Sequence, residues 1–224
     1  MITTNVYCRT FQIRFGNNLG TCFTIDVDGR QYLVTAKHVI HGISAGTTID
    51  IHHEGRWKGL EVQIVGHAQG DIDISVLAAS IQVGPSFPFP ADMAGLMYGQ
   101  DVYFLGYPYG TTIEVGDLNF NFPMPFVKKA IMSCVDNVNG IVFLDGHNNP
   151  GFSGGPVVFT APNTIEYKVA AVISGYRFVA EPVFQGDAQL SITYKYNTGI
   201  IISYGIKHAV DLIRKDPIGF ELQS

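Results

Sequence analysis

Charge is scarce in this sequence. Of 224 residues only 15% are Asp, Glu, Lys or Arg, and Lys128-Lys129 and Arg214-Lys215 are the only adjacent basic pairs. Nucleic-acid surfaces carry a basic stripe, so a chain of net charge −5 without one is expected to have no nucleic-acid partner. Long apolar runs are missing too. No stretch reaches the ~18 residues that cross a bilayer, and no membrane partner is expected. The start, Met1-Ile2-Thr3-Thr4-Asn5, lacks the basic segment and apolar run of a secretory leader. Cysteine is limited to Cys8, Cys22 and Cys134, an odd number that cannot pair completely. The expectation is three reduced thiols in a cytoplasmic protein. His52-His53 has no third ligand at a metal-binding spacing, and neither metal nor cofactor is expected.

What remains is apolar and strand-like. Hydrophobic residues make up 46% of the chain, enough for a substantial core and too many for disorder. Phe23, Ile25 and Val27 alternate with Thr24, Asp26 and Asp28. Asp28-Gly29 tolerates positive φ, and Arg30–Thr35 reads as the return strand of a hairpin. Thr48–His52, Leu60–Val65 and Ile74–Ala78 follow as short strands, separated by Gly42, Gly46, Gly55, Gly59, Gly66 and Gly70. Pro85, Pro88 and Pro90 cannot donate to a ladder, which sets a connection between two β units over 81–99. Strands resume at Val102–Gly106. More are expected near Phe126–Cys134, Gly140–Leu144, Pro156–Phe159, Tyr167–Ser174 and Gly199–Ser203. One helix is expected where Ile206, Ala209, Val210 and Ile213 recur at helical spacing, limited by Pro217. Short strands at this spacing suggest a barrel or sandwich, and residues 1–224 are read as one domain.

Three segments carry chemistry. Ser153 lies in Gly151-Phe152-Ser153-Gly154-Gly155-Pro156. A serine hydroxyl attacks only when a base takes its proton, and the backbone around it must offer N–H groups to the resulting oxyanion. Gly151 lets its own N–H and that of Ser153 converge. His38 ends the apolar run Tyr32-Leu33-Val34-Thr35-Ala36-Lys37, where an imidazole can both accept and return a proton near neutral pH. Asp73 precedes Ile74-Ser75-Val76-Leu77, and an aspartate behind the imidazole would fix its tautomer. Asp71 competes with Asp73, and His41 is the nearest rival to His38; Asp50 and Asp101 are weaker alternatives.

The order His, Asp, Ser along the chain resembles the chymotrypsin–trypsin superfamily of serine peptidases, and within it the bacterial HtrA/Deg-like branch. Gly20-Thr21-Cys22-Phe23, Val65-Gly66-His67 through Leu77, Asn149–Pro156, and Gly199-Ile200-Ile201-Ile202 with the helix after it carry the likeness, over roughly residues 18–214. The resemblance implies an all-β fold of two six-stranded Greek-key barrels with a C-terminal α-helix. His38 and Asp73 would come from the first barrel and Ser153 from the second, with an oxyanion hole at Gly151 and Ser153. It implies a serine endopeptidase acting through an acyl-enzyme on a peptide or protein substrate.

There are departures from the pattern. Val39 stands where secreted relatives have a cysteine, so that disulfide is not expected. Phe152 stands where they have the aspartate that pairs with a freed N-terminus, so activation by that cleavage is not expected. PDZ modules are not expected either. Aligned on the same family, His147 falls at or near the base of the primary pocket, with Ser174, Gly175 and Tyr176 along the wall where substrate backbone pairs. A histidine there suits a polar or acidic side chain, or points away and leaves room for a small apolar one. A regulatory protein partner, and a catalytically inactive binding module on the same fold, are the alternatives; the aromatic-rich loop 107–126 would dock such a partner or cover the cleft.

Overall fold

The computed structural model describes residues 1–44 and 46–223. Six strands form the first barrel: β1 (Thr10–Phe15), β2 (Asn18–Val27), β3 (Arg30–Thr35), β4 (Thr47–His53), β5 (Arg56–His67) and β6 (Ser75–Ala79). Their order is β3-β2-β1-β4-β5-β6, closed by pairing of β3 with β6. The second barrel uses β7 (Asp101–Gly106), β8 (Phe126–Asp136), β9 (Ile141–Asp145), β10 (Pro156–Thr160), β11 (Tyr167–Gln185) and β12 (Ala188–Gly205). It closes in the order β10-β11-β12-β9-β8-β7, which repeats the connectivity of the first. Both are the expected Greek-key barrels, in which a fourth strand returns beside the first of a consecutive trio. A short helix α1 (Thr4–Tyr7) precedes the barrels; α2 (Lys207–Lys215) and the two-residue β13 (Phe220–Glu221), paired on β3, follow them.

The β2–β3 hairpin turns at Asp28 (φ 49°) and Gly29 (φ 77°), the positive-φ pair that its twist requires. Burial is two-sided on β2, because the outer face that the alternation left open is covered. Arg9, wholly buried, reaches over it to Asp26 with contacts of 3.2 and 2.7 Å and donates to the Phe87 carbonyl at 2.5 Å. The proline-rich connection after β6 is thereby strapped onto the first barrel, with Gln31 binding Val83 and Gly84. Two barrel interiors form, one around Phe11, Ile49 and Leu77 and one around Phe104, Phe152 and Ile201; a third cluster joins them beneath α2.

The structure adds what the patterning omitted. β1 had no expected counterpart. β11 and β12 run far past Ser174 and before Gly199, so residues 176–199 make a two-stranded ribbon outside the barrel. Cys8, Cys22 and Cys134 are unpaired; Cys22 is buried, and burial pushes its thiol pKa up.

Candidate active site

β3 ends at Thr35, and the turn after it delivers His38, whose side chain is about half exposed. The loop before β6 delivers Asp73, whose carboxylate is largely buried. Asp73 Oδ2 lies 2.6 Å from His38 Nδ1, and Oδ1 accepts the His38 backbone N–H at 2.9 Å. The two bonds fix both the imidazole and the turn that carries it. Asp71, the competitor, is exposed.

A third donor closes around Asp73. Ser174 Oγ, on β11 of the second barrel, donates to Oδ2 at 2.6 Å. Burial tends to raise the Asp73 pKa, but the hydrogen bonds from His38 and Ser174 outweigh it and hold the carboxyl below its ordinary value. The Ser174 carbonyl in turn accepts the Ser153 hydroxyl at 3.0 Å. His38, Asp73, Ser174 and Ser153 therefore form one hydrogen-bonded run across the seam between the barrels. Among the described residues no hydrogen bond joins His38 Nε2 to Ser153 Oγ; the hydroxyl is turned to Ser174.

The turn that holds Ser153 is pinned from both barrels. Thr21 of β2 donates its N–H to the Ser153 carbonyl at 2.8 Å and its hydroxyl to the Gly151 carbonyl at 2.7 Å. Gly154 N–H reaches the Ile173 carbonyl at 2.7 Å, and Gly155 N–H the Phe152 carbonyl at 2.8 Å. Gly151 adopts φ +101°, and a Cβ there would stand 2.1 Å from the Tyr107 carbonyl oxygen. The N–H groups of Gly151 and Ser153 donate to no acceptor among the described residues.

Phe152 is fully buried in the second barrel, edge-on to Phe104 with ring centroids 5.0 Å apart. An apolar plug occupies the position that the sequence marked as unable to form an ion pair. Lys128 completes the support. Its ammonium bonds the His147 carbonyl and Asn149 Oδ1 and lies 5.8 Å from the Phe152 ring centroid; burial lowers its pKa.

Sequence reasoning gave no site role to the side chains of Thr21 and Lys128 and saw Ser174 only as part of a substrate wall. None carries a local signal, because each acts on a residue far along the chain. His147 itself is exposed; the buried residue of that loop is Asn148, which donates to the Gly175 carbonyl at 3.2 Å. Gly175 and Tyr176 follow Ser174 at the edge of the site and are half-buried. The 107–126 loop contributes Tyr109, which takes a left-handed φ of 54° and donates its N–H to the Pro150 carbonyl at 2.7 Å.

Residues 20–162 match the family model described as a trypsin-like peptidase domain. No curated protein matches the chain. Among solved structures it is similar to a serine endoprotease from Yersinia pestis (18% identity, TM-score 0.59, covering 96% of this chain and 66% of that one). It is also similar to the HtrA-type protease AlgW with a tripeptide (20%, 0.59, covering 95% and 61%). A third is Rv3671c from Mycobacterium tuberculosis H37Rv, a serine-to-alanine mutant described as the inactive form (18%, 0.56, covering 95% and 88%). The chain thus spans about two thirds or less of the first two, and likeness at this identity concerns the fold.

Proposed function

This chain belongs to the trypsin-like peptidase family, and from that premise we propose that it is a serine endopeptidase. Ser153 attacks the peptide carbonyl while His38 takes its proton; Asp73 holds the imidazole in the tautomer that leaves Nε2 free to do so. The free N–H groups of Gly151 and Ser153 receive the oxyanion. His38 then protonates the leaving amine, and water releases the acyl group by the same steps in reverse. What supports the reading above all is the hydrogen-bonded pair of His38 and Asp73 beside Ser174, whose hydroxyl donates to Asp73 and whose carbonyl accepts the Ser153 hydroxyl.

For turnover the Ser153 hydroxyl must leave the Ser174 carbonyl and turn to His38, a rotation between staggered side-chain rotamers. That orientation favours a second reading, in which a protein partner or the substrate itself sets the serine. The three unpaired thiols suit a cytoplasmic setting, where an uncontained peptidase needs such restraint.

The test is cleavage of denatured casein by the purified chain and by Ser153→Ala. Cleavage that vanishes in a folded Ser153→Ala supports the assignment; undiminished cleavage removes it. A fluorophosphonate that labels the protein in lysate but not in isolation supports the partner-gated form. No labelling in either setting leaves the inactive binding module.

A further inference from the structure

The strand that would take up substrate does not stop where the active site stops. β10 accompanies β11 only as far as Val172, and Gly154 and Gly155 continue the contact to Ile173. Beyond that point the same side of β11 has no strand partner among the described residues, while its other side stays paired with β12 out to Gln185. A free edge therefore begins at Ser174, whose carbonyl touches the Ser153 hydroxyl, and runs along the ribbon.

The direction of each backbone group follows from two observations. The Arg177 carbonyl accepts the Thr198 hydroxyl of β12 at 2.9 Å, so residue 177 faces β12. Pro182 lies opposite Thr193 and has no N–H, so it occupies a position whose polar groups face away from β12. Ile173 still faces Gly154 and Gly155, and a register shift between it and Gly175 resets the strand; the next shift, between Tyr176 and Phe178, inserts residues on β12 alone. Past Ser174 strand groups alternate, and both observations give the same parity. Tyr176, Phe178 and Ala180 turn their N–H and C=O groups to the open edge. Pro182 is next in that series and offers no donor, which ends the edge.

We propose that the β11–β12 ribbon is an extended substrate-docking edge, on which the stretch of polypeptide upstream of the scissile bond adds as an antiparallel strand as far as Ala180. This deepens the peptidase reading and rests on it. Ser174 and Tyr176 lie opposite the first and third substrate residues upstream of the cut. Phe178 and Ala180 then lie opposite the fifth and seventh, and Pro182 leaves the ninth unpaired. The occupant is an unfolded or extended segment, because a folded one has no free strand to give. Recognition through main-chain groups makes the edge tolerant of sequence, with the exposed Phe178 ring as its apolar contact.

The experiment uses peptides nested on a casein site that the protein cleaves, lengthened upstream two residues at a time. Turnover kcat/KM is expected to rise roughly 3- to 10-fold at the fifth residue and again at the seventh, from the ordinary worth of a hydrogen-bonded pair, with no gain at the ninth. Ala180→Pro removes an outward N–H and leaves the β12 ladder intact. It should erase the seventh-residue step in the ratio of long to short peptide, and Phe178→Pro should erase both steps. Equal turnover of short and long peptides by a protein that a fluorophosphonate labels overturns this proposal and leaves the peptidase reading in place.

Amide exchange in Ser153→Ala with denatured casein serves as a readout that needs no catalysis. Slowing at 176, 178 and 180 supports the edge even if no cleavage is found. Absence of slowing overturns it. Slowing in the protein alone that grows with its concentration would assign the edge to a second copy of the chain, which also overturns it.

Discussion

Gly151→Ala displaces the turn that carries the oxyanion-hole N–H. The new methyl would stand 2.1 Å from the Tyr107 carbonyl oxygen and 3.0 Å from the Tyr109 nitrogen. Both are backbone, so no side chain can yield. Reaching even a 3.0 Å contact moves the Gly151 backbone by roughly 1 Å, and the φ of +101° adds strain of about 1–3 kcal/mol for an L-residue. A displacement of this size costs about 10²-fold in rate, and loss of one oxyanion donor costs about 10²- to 10³-fold in kcat. We therefore expect kcat to fall about 10²- to 10³-fold, with KM for the same peptide nearly constant.

Gly16→Ala is the control. Gly16 also has positive φ, but a methyl there meets nothing within 4 Å. It should lose about 1 kcal/mol of stability and keep its kcat. The assay is steady-state hydrolysis of one casein-derived peptide by both variants, with urea midpoints measured in parallel. A Gly151→Ala protein that keeps wild-type kcat would refute the assignment of that N–H.

Other perturbations separate the remaining parts. Phe152→Ala empties a fully buried aromatic site and should cost about 3–5 kcal/mol of stability, read from denaturant midpoints. Lys128→Met should lower kcat more than it raises KM, with rescue by Lys128→Arg, if the ammonium positions the loop through the His147 carbonyl and Asn149. Arg9→Leu leaves the Asp26 carboxylate without its bidentate partner and should destabilise by about 3–5 kcal/mol, measurable as a lowered Tm. The depressed Asp73 pKa gives a pH signature. Its stabilisation is fully present above the unfolded value near ~4 and is lost as pH falls through the lower folded value. The stability gap between the wild type and Asp73→Asn should therefore narrow from pH 5 to pH 2 in urea titrations.

Much of this architecture was legible because it rests on local rules. Asp28-Gly29 demands a hairpin turn, and Arg30–Thr35 forms the strand over the expected residues. Pro85, Pro88 and Pro90 deny pairing, and the connection between barrels lies there. Ser153, His38 and Asp73 stood out because glycine-rich turn chemistry and apolar strand ends are written in consecutive residues.

The rest depends on contacts that local reading does not contain. Thr10–Phe15 mixes Arg14 and Gln12 with apolar residues, and only burial against β2 and β4 makes it a strand. The ribbon after Ser174 lacks a buried face, so Glu181, Pro182 and Gln185 look like loop, and pairing with β12 alone makes it regular. The Ser174 hydroxyl reads as one more polar group on a substrate wall, until the fold brings Asp73, 101 positions away in sequence, to within 2.6 Å of it.

The central claim is that His38 activates Ser153 for attack. Its most direct test is fluorophosphonate modification followed by intact mass and peptide mapping of the wild type, His38→Ala and Ser153→Ala. A single adduct on Ser153 is expected in the wild type, formed at least a hundredfold more slowly in His38→Ala and absent in Ser153→Ala. An adduct on another residue, or an equal rate without His38, would contradict it.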